Sequence, residues 1–315
     1  MTVRVRALYA LLIVMALALV GCGAPERITG LSEAQIATIE SLVKVDDHPL
    51  YTMRYEGGYT SARALPDDGG SHLARGPLGP AWGCSLFAAL GDPNGVVYGR
   101  NFDWQFSPAL LLFTDPPGGL ASVSMVDIAY LSLDDEAIGK LHTASLAERT
   151  PLLDAPTIPF DGMNERGLVV GMAAVPPGNM TPVPQRPDIG SLGIIRAMLD
   201  HAADVDEAVA ILKRYDIVPS GGPPLHYLVA DATGRAVLVE YHRGEIHVLP
   251  NERPWHVATN FLVASTAEPA GQRQLVCRIP ILPHHNADAV RWRIDHGPLG
   301  AFLRDSLEQG QGLVR

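Results

Sequence analysis

The sequence predicts an α+β fold in which sheet packs on sheet and helices lie outside. Three observations lead there. From Cys84 onward, apolar runs of strand character alternate with turns rich in Gly, Pro, Asn and Asp, and the same texture returns in "HYLVADATGRAVLVEYHRGEIHVL" and "WHVATNF". Between these β regions lie two stretches with helical spacing, "LGIIRAMLDHA" and "VDEAVAILKRY". The composition, 47% hydrophobic and 18% charged over 315 residues, supplies enough apolar material for a large core.

The elements follow in order. The leader "MTVRVRALYALLIVMALALVGCG" carries Arg4 and Arg6, then an apolar run from Ala7 that is short for a membrane span and usual for a secretory signal. Its ending, Leu19 to Cys22, resembles a bacterial lipobox, in which the cysteine is lipidated and becomes the mature N-terminus; a plain cleaved signal with Cys22 lost or idle is the other reading. Small Gly21 directly before Cys22 and bulky Leu19 three before it favour the lipoprotein. Residues 1–21 are therefore expected to be a signal peptide, and the mature protein to face the periplasm or cell exterior through a lipid anchor on Cys22.

Ser32 with Gln35 forms a capping-box pattern ahead of "EAQIATIESLVK", a predicted helix with Ile36, Ile39 and Leu42 or Val43 on one face. "PLYTMRYEGGY" reads as a strand, and residues 65–83, crowded with Gly and Pro, as an exposed, irregular connection suited to backbone cleavage. "CSLFAAL", "GDPNG" and "VVYGRNFDW" make a hairpin. "ALLLFTDPPGGLASVSMVDIAYL" repeats that logic with a turn at Asp115 to Gly119, and "FDGMNERGLVVGMAAVPPGN" turns at Asn164 to Gly167 into a buried strand. Asp204 and Glu207 form a second capping-box pattern.

The net charge of −10 becomes −12 without the two leader arginines, which disfavours nucleic acid or anionic lipid as the main partner. No HExxH, paired CxxC, GxSxG or P-loop occurs, and the adjacent His284 and His285 lack a third ligand at regular spacing, so no metal or cofactor is expected. Cys84 and Cys277 could form one disulfide in an oxidising compartment.

In a hairpin turning at Asp92 to Asn94, Cys84 lies opposite about residue 102, so Arg100 and Asp103 flank its sulfur. They are three residues apart, and a regular strand sends them to opposite faces; a bulge or the strand's end must bring both to one site. Taken singly, each has an ordinary reading: a small core cysteine, a structural ion pair.

Together with "FDGMNERGLVVGM", "HYLVADATGRAVLVEY" and "ATNF", the stretch "GCSLFAALGDPNGVVYGRNFDW" resembles the choloylglycine hydrolase and linear amide carbon-nitrogen hydrolase family over most of residues 46 to 280. Its strongest element is Cys84 followed at sixteen and nineteen positions by Arg100 and Asp103. The resemblance implies the N-terminal nucleophile hydrolase fold, a four-layer αββα sandwich, and cleavage between Gly83 and Cys84. That cut would give the cysteine an α-amine of its own as base, and glycine permits the strained backbone through which the sulfur attacks the Gly83 carbonyl. By the same resemblance Arg100 sits beside the sulfur and favours its thiolate form, and Asp103 fixes the amine. Asn260 and, less closely matched, Asn179 supply oxyanion donors. Arg278 matches a further family arginine, with Arg273 as its rival.

The expected organisation is a signal at 1–21, a segment at 22–83 that stays docked as a small chain after cleavage, and a nucleophile-bearing region at 84–315. Relatives add one or two final strands, which the polar ending "DSLEQGQGLVR" does not suggest. The expected activity is cysteine-dependent hydrolysis of a small-molecule linear amide through an acyl-cysteine. An acyltransferase with an amine acceptor and a noncatalytic ligand-binding lipoprotein on the same scaffold are the alternatives. The residues specify neither the amide nor the oligomeric state.

Overall fold

The computed structural model describes residues 30–46, 48–59, 83–92, 95–103, 107–176, 186–218 and 222–264. The first helix, Glu33–Glu40, carries the predicted capping box: Gln35 N donates to Ser32 Oγ at 3.2 Å, and Ser32 N donates to Gln35 Oε1 at 2.9 Å. It stops earlier than the apolar spacing suggests. The Ser41 hydroxyl donates to Thr38 O and accepts from Arg54 N, tying the helix end to a strand and turning the chain outward. Leu42 and Val43 thus leave the helix, and Val43–Lys44 forms β1, antiparallel to β2 (Leu50–Tyr55). Tyr51, Met53 and Tyr55 of β2 alternate inward, and the Tyr51 hydroxyl donates to Ile138 O at 2.6 Å.

The hairpin containing Cys84 is β3 (Gly83–Ala89) and β4 (Val97–Asp103). A second hairpin, β5 (Ala109–Thr114) and β6 (Ser122–Asp127), turns where predicted, with Gly118 at φ 77° and Gly119 N bonded to Pro116 O. The strand reading of "VDIAYL" fails after Asp127. The Asp127 carboxylate accepts from Ala129 N at 3.0 Å and starts a 3-10 turn, Ile128–Leu131, followed by a short helix, Asp135–Lys140, and a second 3-10 segment, Thr150–Thr157. β7 (Asp161–Asn164) and β8 (Val169–Ala174) join through the predicted turn, where Gly167 takes φ 81°.

After β9 (Asp188–Gly190) come two helices, Gly193–His201 and Val205–Arg214. The second capping box is only half formed: Glu207 N donates to Asp204 Oδ1, but the Glu207 carboxylate reaches past Asp204 to accept from Ala203 N at 2.7 Å. β10 (Asp216–Val218), β11 (Leu225–Ala230), β12 (Ala236–His242), β13 (Glu245–Pro250) and β14 (Trp255–Ala258) complete the described chain.

Among the described residues one sheet has nine strands, in the order β1-β2-β5-β6-β7-β8-β11-β12-β13, with only β2 and β5 parallel; a second has three, β14-β3-β4; β9 and β10 form a parallel pair. The helix Gly193–His201 covers one face of the large sheet, where Leu199 packs on Gly162 and the fully buried Arg196 bonds to Ser122 and Ser124. The small sheet packs on the other face, β3 over β8 and β14 over β12. The fold is α+β, and helix, sheet and sheet are three of the four layers expected; a second helical layer is not among the described residues.

Candidate active site

Cys84 is the second residue of β3, buried, with a free thiol. Its position follows from two registers. On one side β4 places Phe102 directly opposite Cys84, as the hairpin argument expects. On the other side β14 pairs Ala258 with Leu86, and extending that register by two residues brings Asn260 level with Cys84. There the Asn260 side chain bridges: its Oδ1 accepts from Cys84 N at 2.7 Å, and its Nδ2 donates to Ala174 O at 2.8 Å. One N–H of the Asn260 amide is thus engaged by β8, and an amide nitrogen carries two.

Arg100 lies opposite Leu86, on the face of β4 that it shares with Phe102. Its guanidinium stacks over the Phe102 ring with Cζ 4.5 Å from the centroid. Nε donates to Met172 O at 3.1 Å and Nη1 pairs with Asp161 Oδ2 at 3.3 Å. β3 and β4 stay in unbroken register from Ala89–Val97 to Gly83–Asp103, so no bulge re-aims Asp103; it is the last residue of β4, and its side chain lies outside the described residues. Gly83 differs from expectation: it is the first residue of β3, paired with Asp103, and not the end of an irregular loop. Asn260 Oδ1 is the described partner of the Cys84 nitrogen.

Three residues around the site escaped the sequence reading. Asp161, just ahead of the turn read at Asn164 to Gly167, is the counter-charge of Arg100. Asp127 is buried with Oδ2 unpartnered; burial pushes its carboxyl up to about 7, opposed by the Ala129 N–H and by the Arg100 guanidinium. The Tyr130 hydroxyl is raised above the usual phenol range by burial first and then by Asp127 and Cys84, with Arg100 opposing. Its ring meets Phe160 edge-on, and Phe160 meets Phe102 in turn, so an aromatic wall leads from Phe102 to Tyr130. The hairpin count had already placed residue 102 opposite Cys84; nothing local marks Asp161, Asp127 or Tyr130.

Asn179, Arg278, Arg273, Cys277, Cys22, His284 and His285 lie outside the described residues. Among the described residues no three His, Cys, Asp or Glu side chains gather as a metal site requires.

Residues 84–261 match the sequence model of a family described as linear amide C-N hydrolases, choloylglycine hydrolase family. Among solved structures, penicillin V acylase from Agrobacterium tumefaciens is 19% identical over 59% of this chain and 46% of that one, with a TM-score of 0.33. A mutant conjugated bile acid hydrolase from Clostridium perfringens is 18% identical over 73% of this chain and 74% of that one, at 0.42. Another variant of that hydrolase is 17% identical over 73% and 66%, at 0.32. The chain thus spans about half the length, 46%, of the penicillin V acylase it matches. The family match covers more than half of the chain and begins at Cys84 itself; the chain belongs to the linear amide C-N hydrolases of the choloylglycine hydrolase family.

Proposed function

We propose that the protein is an exported, lipid-anchored hydrolase of small-molecule linear amides that uses Cys84 as nucleophile after cleavage of the Gly83–Cys84 bond. The observation that carries this reading is the placement of Cys84. A free buried thiol at the head of a strand has its backbone nitrogen held by Asn260 at 2.7 Å and the Arg100 guanidinium stacked on the ring across from it. In this reading the sulfur attacks the amide carbonyl, the carbonyl oxygen takes the charge, and the free N–H of Asn260 stabilises it. The C–N bond then breaks, the proton taken from the thiol by the Cys84 α-amine passes to the leaving amine, and acyl-cysteine remains. Water, deprotonated by the same amine, attacks the thioester and restores the thiol. Arg100 keeps positive charge beside the sulfur, Asp103 and Asn260 orient the amine, and Asn179 and Arg278 complete the site. The family membership supports linear amide hydrolysis; the leader and its Leu19–Cys22 ending support the anchor.

Mass spectrometry of the purified protein tests the processing: a new chain beginning at Cys84 is expected, and an intact chain defeats the claim. A panel of penicillins, bile-salt conjugates, acyl-homoserine lactones and peptide-like amides, followed by trapping of the acyl group on Cys84, tests the chemistry. Cys84→Ala should lose all turnover; full activity in that variant removes Cys84 from the mechanism. Acyl transfer to an added amine marks an acyltransferase, and no turnover of any amide, with an inert thiol, marks a binding protein.

A further inference from the structure

Behind the site lies a buried acid and base that the proposed chemistry does not use. Glu240 on β12 and His226 on β11 are both fully buried, in the layer between the sheets: His226 pairs with Ala173, and Glu240 follows Leu238 by two, both of these neighbours lying in the cluster that contains Cys84. A buried carboxylate is costly unless hydrogen-bonded. Here Oε1 accepts from His226 Nδ1 at 3.0 Å and from Val263 N at 2.9 Å, and Oε2 accepts from Ala264 N at 2.7 Å. Burial alone would raise its pKa; the bonds from His226, Ala264 and Val263 outweigh burial and hold the carboxyl below its usual range. Neighbouring His256 is itself driven toward the neutral form by burial first, with Glu240 favouring its charge and His226 opposing it.

Two of the three bonds come from backbone N–H groups of an irregular segment that follows β14. That segment carries Asn260. It is pinned at one end by the β14–β3 ladder, which closes at Ala258, and at the other by Glu240, with Asn260 suspended between Cys84 N and Ala174 O. We infer that Glu240, held by His226, is a positioning residue that sets Asn260 against the Cys84 nitrogen through the backbone of Val263 and Ala264. This rests on the role proposed above for Asn260.

Glu240→Gln keeps the shape but offers one acceptor oxygen where two are needed, so an amide N–H must face a backbone N–H or the His226 donor. The test compares the wild type, Glu240→Gln, Asn260→Ala and the double variant on the panel amide with the highest kcat/KM. Hydrogen exchange over 259–264 and iodoacetamide labelling of Cys84 are read beside it. Glu240→Gln should lower kcat roughly tenfold to a hundredfold with KM within about twofold. If Glu240 acts through Asn260, the double variant should be no slower than Asn260→Ala. Exchange in 261–264 should quicken while β11 and β12 stay protected. His226→Asn, whose amide can stand in for the Nδ1 donor, should keep near-wild-type kcat; His226→Leu should behave as Glu240→Gln, and serves if Glu240→Gln does not fold. Unchanged exchange and kcat in Glu240→Gln, or losses that multiply in the double variant, overturn the inference. Full kcat in Asn260→Ala would instead overturn the role of Asn260, and the exchange result would still decide whether Glu240 holds the segment.

Discussion

Asp127, buried and within the field of the Arg100 guanidinium, is a side chain whose protonation the fold controls. Its carboxyl is raised from 3.8 to about 7, so between those values the native protein holds a proton that the unfolded chain releases. Its contribution to stability is fully present below about pH 4 and is lost as pH rises through about 7. Asp127→Asn keeps the acceptor for Ala129 N and removes the titration. Its unfolding free energy should gain on the wild type by on the order of 4 kcal/mol between pH 4 and pH 8, measured by urea denaturation at each pH. Arg100 makes the opposite case. Its side chain and that of Asp161 are 4% and 19% exposed, so Arg100→Ala leaves a part-buried carboxylate unpaired; a loss of about 1–3 kcal/mol is expected by the same measurement, together with slowed labelling of Cys84. Cys84, Arg100 and Asn260 were legible in the sequence because a family pattern and a hairpin register point at them. Asp161 and Glu240 were not, because each meets a partner far along the chain, Arg100 for Asp161 and Val263 for Glu240, and no local spacing encodes such a contact; Asp127 was not, because burial by the folded chain, and not its local bond to Ala129 N, raises its carboxyl.

The hairpin of β3 and β4 owes its position to what it lies on. Gly171 of β8 faces it, and a Cβ there would sit 2.7 Å from the Tyr98 hydroxyl and 2.9 Å from Leu86 Cδ2. The Tyr98 hydroxyl is not free to give way, since it donates to Leu228 O at 2.9 Å. Gly171→Ala should therefore lift the small sheet from the large one, cost about 1–3 kcal/mol in thermal unfolding, and displace Cys84 from Asn260. The hairpin turn and the pairing of Cys84 with residue 102 could be read from Gly, Pro and alternation, which are local signals. The segments Ile128–Leu131 and Thr150–Thr157 could not: a 3-10 turn of a few residues has no apolar period to detect, and tertiary packing decides it. The half-formed cap at Asp204 has a local cause, a Glu207 side chain that accepts from Ala203 N in place of the N-cap residue that the motif names.

At the scale of the molecule, the strand Leu50–Tyr55, which precedes Cys84 in the chain, is part of the core and not an appendage. β2 runs beside β5 in parallel from Leu50–Ala109 to Tyr55–Thr114, in the body of the nine-stranded sheet. Beyond it the Tyr59 hydroxyl donates to Asp200 at 2.9 Å and accepts from Arg196 at 3.3 Å, and that arginine is fully buried. Burial of Tyr51 and Met53 adds roughly 1.5–3 kcal/mol each relative to exposure. If the chain is cut after Gly83, as proposed, the two pieces should therefore elute as one species under native conditions and separate only in denaturant; dissociation in plain buffer would contradict the docking. One consequence concerns the membrane. If Cys22 carries a lipid and the chain is cut before Cys84, as proposed, grease and nucleophile would reside on different polypeptides. The working half would then be moored to the bilayer by the main-chain bonds between β2 and β5 and the side chains buried around them, so that denaturant, with no protease or lipase, would set it afloat.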